Sequence, residues 1–303
     1  MIENMSNLDG FLLSAVHALP VRTCRSLGFS LRVGLTNDSQ IEPRFATDYQ
    51  IQAKIYSPEG VQVAFHDNLG IIRPREKKTI VVDELIDDAR DQLVIFILLP
   101  LRLLAESQDG IHCSISREEL HHLVSCQGHQ VEYFRPSGYS TGVLLAFPAY
   151  NYTKFHKDIP AAIIQAPKVF VSRDIDTYVT LINPSPVADY NQTHVMSCSV
   201  TSEDGTVLKA WKQDVPAFQS VAVSMKSVLG GTFDEAIRFF CFSGFCDTGL
   251  LLPLIFTHNA RAQTLGVEHT FAPFLYGRNL YGPTRRDIDR QIKRSRLFQQ
   301  IST

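Results

Sequence analysis

The sequence has one tryptophan and four methionines in 303 residues, and it has no excess of either charge. Its 29 lysines and arginines face 31 aspartates and glutamates, a net charge of −2. A chain so balanced sets up no global field, which argues against a surface built as a whole to grip nucleic acid or an anionic membrane. It also lacks an uninterrupted apolar run of the roughly 18 residues that a membrane-spanning helix needs. Leu93–Leu104 is broken by Pro100 and Arg102. Phe11–Val21 follows Glu3 and Asp9 rather than basic residues, contains His17 and Pro20, and precedes no small-x-small cleavage pattern. It therefore does not read as a signal peptide.

Cysteine is sparse and irregular. Cys24, Cys113, Cys126, Cys198, Cys241 and Cys246 form no framework, which points to reduced thiols in a cytoplasmic protein. Asn-x-Ser/Thr triplets occur at Asn4, Asn37, Asn151 and Asn191, but they matter only on a secretory route.

What the chain does have is a repeated pattern. Val33-x-Leu35-x-Asn37-x-Ser39 returns 146 positions later as Val179-x-Leu181-x-Asn183-x-Ser185. Each copy alternates apolar and polar residues and then breaks, as a half-buried strand running into a turn does. In the first copy, Thr36-Asn37-Asp38-Ser39 reads as a cluster of turn formers bonding their own backbone. Ser57-Pro58-Glu59-Gly60 leads into Val61-x-Val63-x-Phe65, and Ser202-Glu203-Asp204-Gly205 leads into Thr206–Trp211. Both predict hairpins whose glycine takes positive φ. Two further matches are Leu98–Leu101 with Leu251–Leu254, and Phe134-x-Pro136-x-x-Tyr139 with Phe271-x-Pro273-x-x-Tyr276. Their offsets differ from 146, which requires insertions, one of them placed at Phe240–Gly249. Ser116-x-x-Glu119 is a capping box opening a helix that Gly128 would stop.

Short alternating strands with frequent turn signals predict a mainly β fold. The expectation is two tandem β-sandwich domains arising from an internal duplication, with one short helix inserted in the first and a basic C-terminal tail. The expected boundaries are a leader at 1–25, repeat 1 at 26–148, a linker at 149–168, repeat 2 at 169–277 and the tail at 278–303. Within the leader, Phe11, Leu12, Val16 and Leu19 would line a short helix. A single large sheet assembly built from both halves is the alternative.

Few residues look chemical. Gly138-Tyr139-Ser140-Thr141-Gly142 spells a nucleophile elbow, but Pro136 precedes it and a strand-like Val143–Phe147 follows, whereas that motif needs strand, turn and helix. Cys241-x4-Cys246 with His258 and His269 lacks the paired spacing of structural zinc, so no metal and no cofactor are expected. His121-His122 reads as a solvated helix face. The end pattern is the most suggestive: each half places a glutamate (Glu132, Glu268), then Tyr133 or His269, and a tyrosine beyond a proline (Tyr139, Tyr276). On this reading the protein is a non-catalytic binding or assembly module presenting loops and sheet faces, with Glu132, Tyr139, Glu268, His269 and Tyr276 as binding residues. The first alternative is an enzyme whose acid/base site lies in a cleft between the repeats, using Glu132, Glu268 and His269. The second is an adaptor whose basic tail (Arg285, Arg286, Arg290, Lys293, Arg294 and Arg296) meets a partner or nucleic-acid phosphates.

Overall fold

The computed structural model describes residues 16–37, 47–86, 93–101, 127–135, 137–138, 140–145, 162–164, 168–185, 190–246 and 251–269. Residues 116–126 of the predicted helix, the basic tail, Tyr139 and Tyr276 lie outside them.

The fold is mainly β, and the chain divides into two compact units. The first unit runs through β1 (Val16–Leu19), α1 (Val21–Ser26), β2 (Ser30–Asn37), β3 (Tyr49–Tyr56), β4 (Gln62–His66), β5 (Ile71–Ile72), β6 (Lys77–Val81), a 3-10 turn at Val82–Leu85, β7 (Leu93–Pro100), β8 (Gln127–Phe134) and β9 (Ser140–Leu145). The second runs through β10 (Ala162–Ile164), β11 (Lys168–Val171), β12 (Ile175–Ile182), β13 (His194–Thr201), β14 (Val207–Val215), β15 (Ser220–Ser224), α2 (Met225–Leu229), β16 (Arg238–Cys246), β17 (Leu252–Asn259) and β18 (Thr264–His269).

Each unit contains two antiparallel sheets in a sandwich-like arrangement. The first unit has the orders β1-β7-β3-β4 and β6-β2-β8-β9; the second has β10-β16-β13-β14 and β15-β12-β17-β18. These four-strand orders correspond strand for strand, and only the extra strands differ, β5 pairing with β3 and β11 with β16. The hairpins agree in detail as well. Gly60 N–H donates to the Ser57 carbonyl at 3.0 Å, and Gly205 N–H donates to that of Ser202 at 3.0 Å. Both glycines have positive φ, 78° and 84°. The ladder shifts at Ile55/Tyr56 in one hairpin and at Val200/Thr201 in the other.

The repeated Val-x-Leu-x-Asn pattern closes equivalent strands, β2 and β12. Val33, Leu35, Val179 and Leu181 are fully buried. Alternation places every second side chain on the inner face, where the facing sheet covers it. In the second unit that core joins Val169, Met196, Cys198, Val200 and Phe242 of one sheet to Val179, Leu181 and Ile255 of the other.

Several expectations need correction. The leader supplies a strand, because Val16–Leu19 pairs with Ile97–Val94 of β7, and the helix begins only at Val21. The linker also carries structure: Ala162–Ile164 pairs with β16. Gly128 does not stop a helix; it lies in β8 opposite Thr36. Arg238–Cys246 is a regular strand equivalent to β7, not an insertion. The leucine–proline match fails, because Leu98–Pro100 lies on β7 whereas Leu252–Leu254 lies on β17, the counterpart of β8.

Asn37 and Asn183 are also not exposed turn formers. They are 1% and 0% exposed. Asn37 Nδ2 donates to the carbonyls of Thr47 (2.8 Å) and Ile72 (3.3 Å), and Asn183 Nδ2 to those of Gln192 and Val215 (2.9 Å each). Each amide thus ties its own strand to chain belonging to the opposite sheet, which is why a polar residue sits at the end of a core strand.

Candidate functional site

The most distinctive surface in the first unit grows out of its hairpin. The Ser57–Gly60 turn returns the chain as β4, which pairs with β3 and stands at the end of its sheet. The registers Lys54–Phe65 and Gln50–Ile71 put Phe65 and Ile71 on one face of that sheet. Val63 shares the Phe65 side by alternation, and Val61 precedes the strand beyond the shift in the ladder. Ile51, Ala53 and Ile55 of β3 are buried on the other face; on this one Lys54 and Tyr56 of β3 are buried as well, and the exposed apolar side chains are those of β4 and β5. Val61, Val63, Phe65 and Ile71 are accordingly 61%, 53%, 46% and 49% exposed. The Lys54 ammonium lies 6.0 Å from the Phe65 ring centre, a cation–π distance. No described strand pairs with the other side of β4, and a strand edge left open with apolar side chains beside it is unusual on a folded surface, because it invites pairing with another chain.

The alternation around Val63 correctly predicts a strand, but it points its apolar set away from the core. At the position equivalent to Val63 the second unit has Leu208, 41% exposed, and at that of Phe65 it has Ala210. There the strip is weaker and is flanked by Lys209 and Lys212.

The residues singled out from sequence are placed as follows. Glu132 is on β8, its Oε2 3.2 Å from Arg32 Nη1, with both side chains more than a third exposed. The Arg32 guanidinium also stacks 5.0 Å from the Phe134 ring centre. Glu268 is exposed on β18 opposite Ile255, and His269 ends that strand opposite Leu254. Glu132 and Glu268 are not counterparts. Following the ladders, the second-unit equivalent of Glu132 is Phe256, and the first-unit equivalent of Glu268 is Val143. The end pattern that paired these carboxylates therefore matches β8 to β18, strands with different neighbours in their sheets.

Ser140 begins β9 and pairs with Phe134, so the expected extended context holds there. Cys241 and Cys246 are five residues apart on β16. That separation puts them on opposite faces and about 16 Å apart, too far for a common ion. Among the described residues no group of three or more His, Cys, Asp or Glu is arranged to hold a metal.

No protein-family model matches the chain, and no curated protein matches it in sequence. Among solved structures it is similar to a Bacteroides uniformis beta-glucuronidase, with 12% identity and a TM-score of 0.19, covering 84% of this chain and 26% of that one. It is also similar to a glycosyl hydrolase family 2 member from Bacteroides cellulosilyticus, with 10% identity and a TM-score of 0.17, covering 84% and 27%. The chain thus spans about a quarter of the length of either.

Proposed function

We propose that the protein is a non-catalytic binding or assembly module made of two β-sandwich units derived from one ancestral unit, and that the first unit's β4 edge is its contact surface. The observation that carries this is the exposed set Val63, Phe65 and Ile71, with exposed Val61 before them, beside a strand edge that no described strand covers. Such an edge accepts an added strand by main-chain hydrogen bonds while the apolar side chains supply affinity. Descent from one unit is supported by the corresponding four-strand orders, the shared bulge and the two equivalent asparagines. Among the described residues no helix is long and apolar enough to cross a membrane. Cys24, Cys198 and Cys241 are free thiols, which suits a reducing cytoplasm.

The test is a photo-crosslinking amino acid placed at Val63 in the full chain, with the same probe at Lys212 as the control. A discrete adduct formed from position 63, absent from position 212 and lost in Phe65→Glu, is the expected result. An adduct with a second copy would identify assembly, and one with another protein would identify a partner. No adduct at position 63 would overturn the reading.

A further inference from the structure

The first unit encloses a pair of imidazoles that no feature of the fold requires. His17 lies on β1 and His129 on β8, so they belong to opposite sheets. Their exposures are 0% and 3%. The rings meet edge to face with centroids 4.5 Å apart, Nδ1 against Nδ1. Both Nε2 atoms are buried and have no hydrogen-bond partner. One of two facing Nδ1 atoms must donate and the other accept, so the contact exists only while at least one ring is neutral.

The second unit supplies an internal control. Its ladders place Ile164 where the first unit has His17, and Pro253 where it has His129. Both are buried. The same architecture thus closes over apolar groups at these positions, and the two imidazoles are a peculiarity of the first unit.

Among the described residues their surroundings offer no counter-charge. β7, which pairs with His17 through Phe96, contains no ionisable residue, and neither does β9. On β2 the one charged residue is Arg32, which turns outward to Glu132. Lys54 of β3 turns to the outer face beside Phe65. On β8, Tyr133 shares the inner side with His129, and α1 contributes Cys24. Burial pushes both of these groups up, so they stay neutral. Asp83 of the 3-10 turn is held by Arg25 of α1 at 2.9 Å.

We propose that the His17–His129 contact is a proton-operated latch: neutral, it holds β1 against the opposite sheet of the first unit, and protonated, it releases that strand. β1 suits release, since it is four residues long and, among the described strands, stands at the end of its sheet and pairs with β7 alone. Two imidazolium rings in contact in an apolar interior combine repulsion with lost hydration. Burial lowers His17 to about 3, and burial together with the His17 charge lowers His129 well below its ordinary range. The sign follows. The opened chain binds more protons than the closed one below the ordinary histidine value of 6.5, so closure is full above that pH and is lost progressively as pH falls toward 3.

The test is hydrogen exchange of the full chain at pH 7.5 and pH 5, corrected for intrinsic rates and read over Val16–Leu19, in wild type and in His17→Ile/His129→Leu. In wild type the opening equilibrium of this segment should rise about 30-fold at pH 5 for each imidazole freed, while Val195–Val200 in the other unit stays protected. The double variant should lose this rise. An equal rise in the variant, or none in wild type, overturns the latch. Should the variant not fold, imidazole nitrogen NMR of wild type decides alone: both rings titrating near 6.5 without strand release overturns the latch, and protonation coincident with release supports it. A zinc-dependent increase in wild-type Tm that the variant lacks would overturn it in favour of a metal site.

Discussion

The side-chain amide of Asn37 donates to the Ile72 carbonyl oxygen from the opposite sheet, and Asn183 makes the same bond to Val215 in the second unit. The backbones of these asparagines are occupied in parallel ways. Arg75 N–H donates to the Asn37 carbonyl at 2.7 Å, and Phe218 N–H to that of Asn183 at 2.9 Å. Each asparagine therefore locks the end of one strand, one neighbouring turn and the opposite sheet together.

Asn37→Ala and Asn183→Ala should each destabilise the protein by about 2 to 4 kcal/mol, because two hydrogen bonds vanish and buried carbonyls are left without donors. Urea denaturation should show the lower midpoint with an unchanged slope. A loss below about 0.5 kcal/mol in either variant would contradict the role given to these amides.

Arg75 and Phe218 share positive φ, 69° and 58°, although neither is glycine. Their substitutions should nevertheless differ in sign. Arg75 is exposed, so Arg75→Gly should be neutral or stabilising by up to about 1 kcal/mol as backbone strain is relieved. Phe218 is 5% exposed, and Phe218→Gly should cost about 3 to 5 kcal/mol of lost packing. Thermal melts of the two variants, read side by side, test this.

Gly205 isolates the conformational term. A Cβ built there meets nothing within 4 Å, yet its φ is +84°. Gly205→Ala should then cost about 1 to 2 kcal/mol with no steric contribution. A shift in Tm near zero would mean that the hairpin turn adopts another conformation.

Two ion pairs of the first unit should also separate. Arg32–Glu132 is exposed, and Glu132→Gln should change stability by less than about 1 kcal/mol. Asp83 accepts from Arg25 at 2.9 Å and from Leu31 N–H at 3.3 Å, with the Arg25 and Asp83 side chains only about a quarter exposed. Asp83→Ala should therefore be the more costly change, by equilibrium denaturation at pH 7 and again in high salt.

The legible parts of this protein are local. Alternation around Val33, Leu35, Val179 and Leu181 specifies strands with one buried side, because successive side chains must point to opposite faces. Gly60 and Gly205 mark their turns because few other residues accept that φ cheaply. Sequence therefore determined a mainly β chain and located its two most similar strands and hairpins.

Other features required the folded chain. Whether Asn37 ends a strand in water or spans two sheets depends on a partner 35 residues away. Whether Val63 and Phe65 line a core or an outer face depends on which side the opposite sheet covers. Leu98–Leu101 and Leu251–Leu254 match as letters but pair with different strands, since a short apolar run suits any buried β position. His17 and His129 are separated by 112 positions, and only the closing of one sheet over the other brings their rings together.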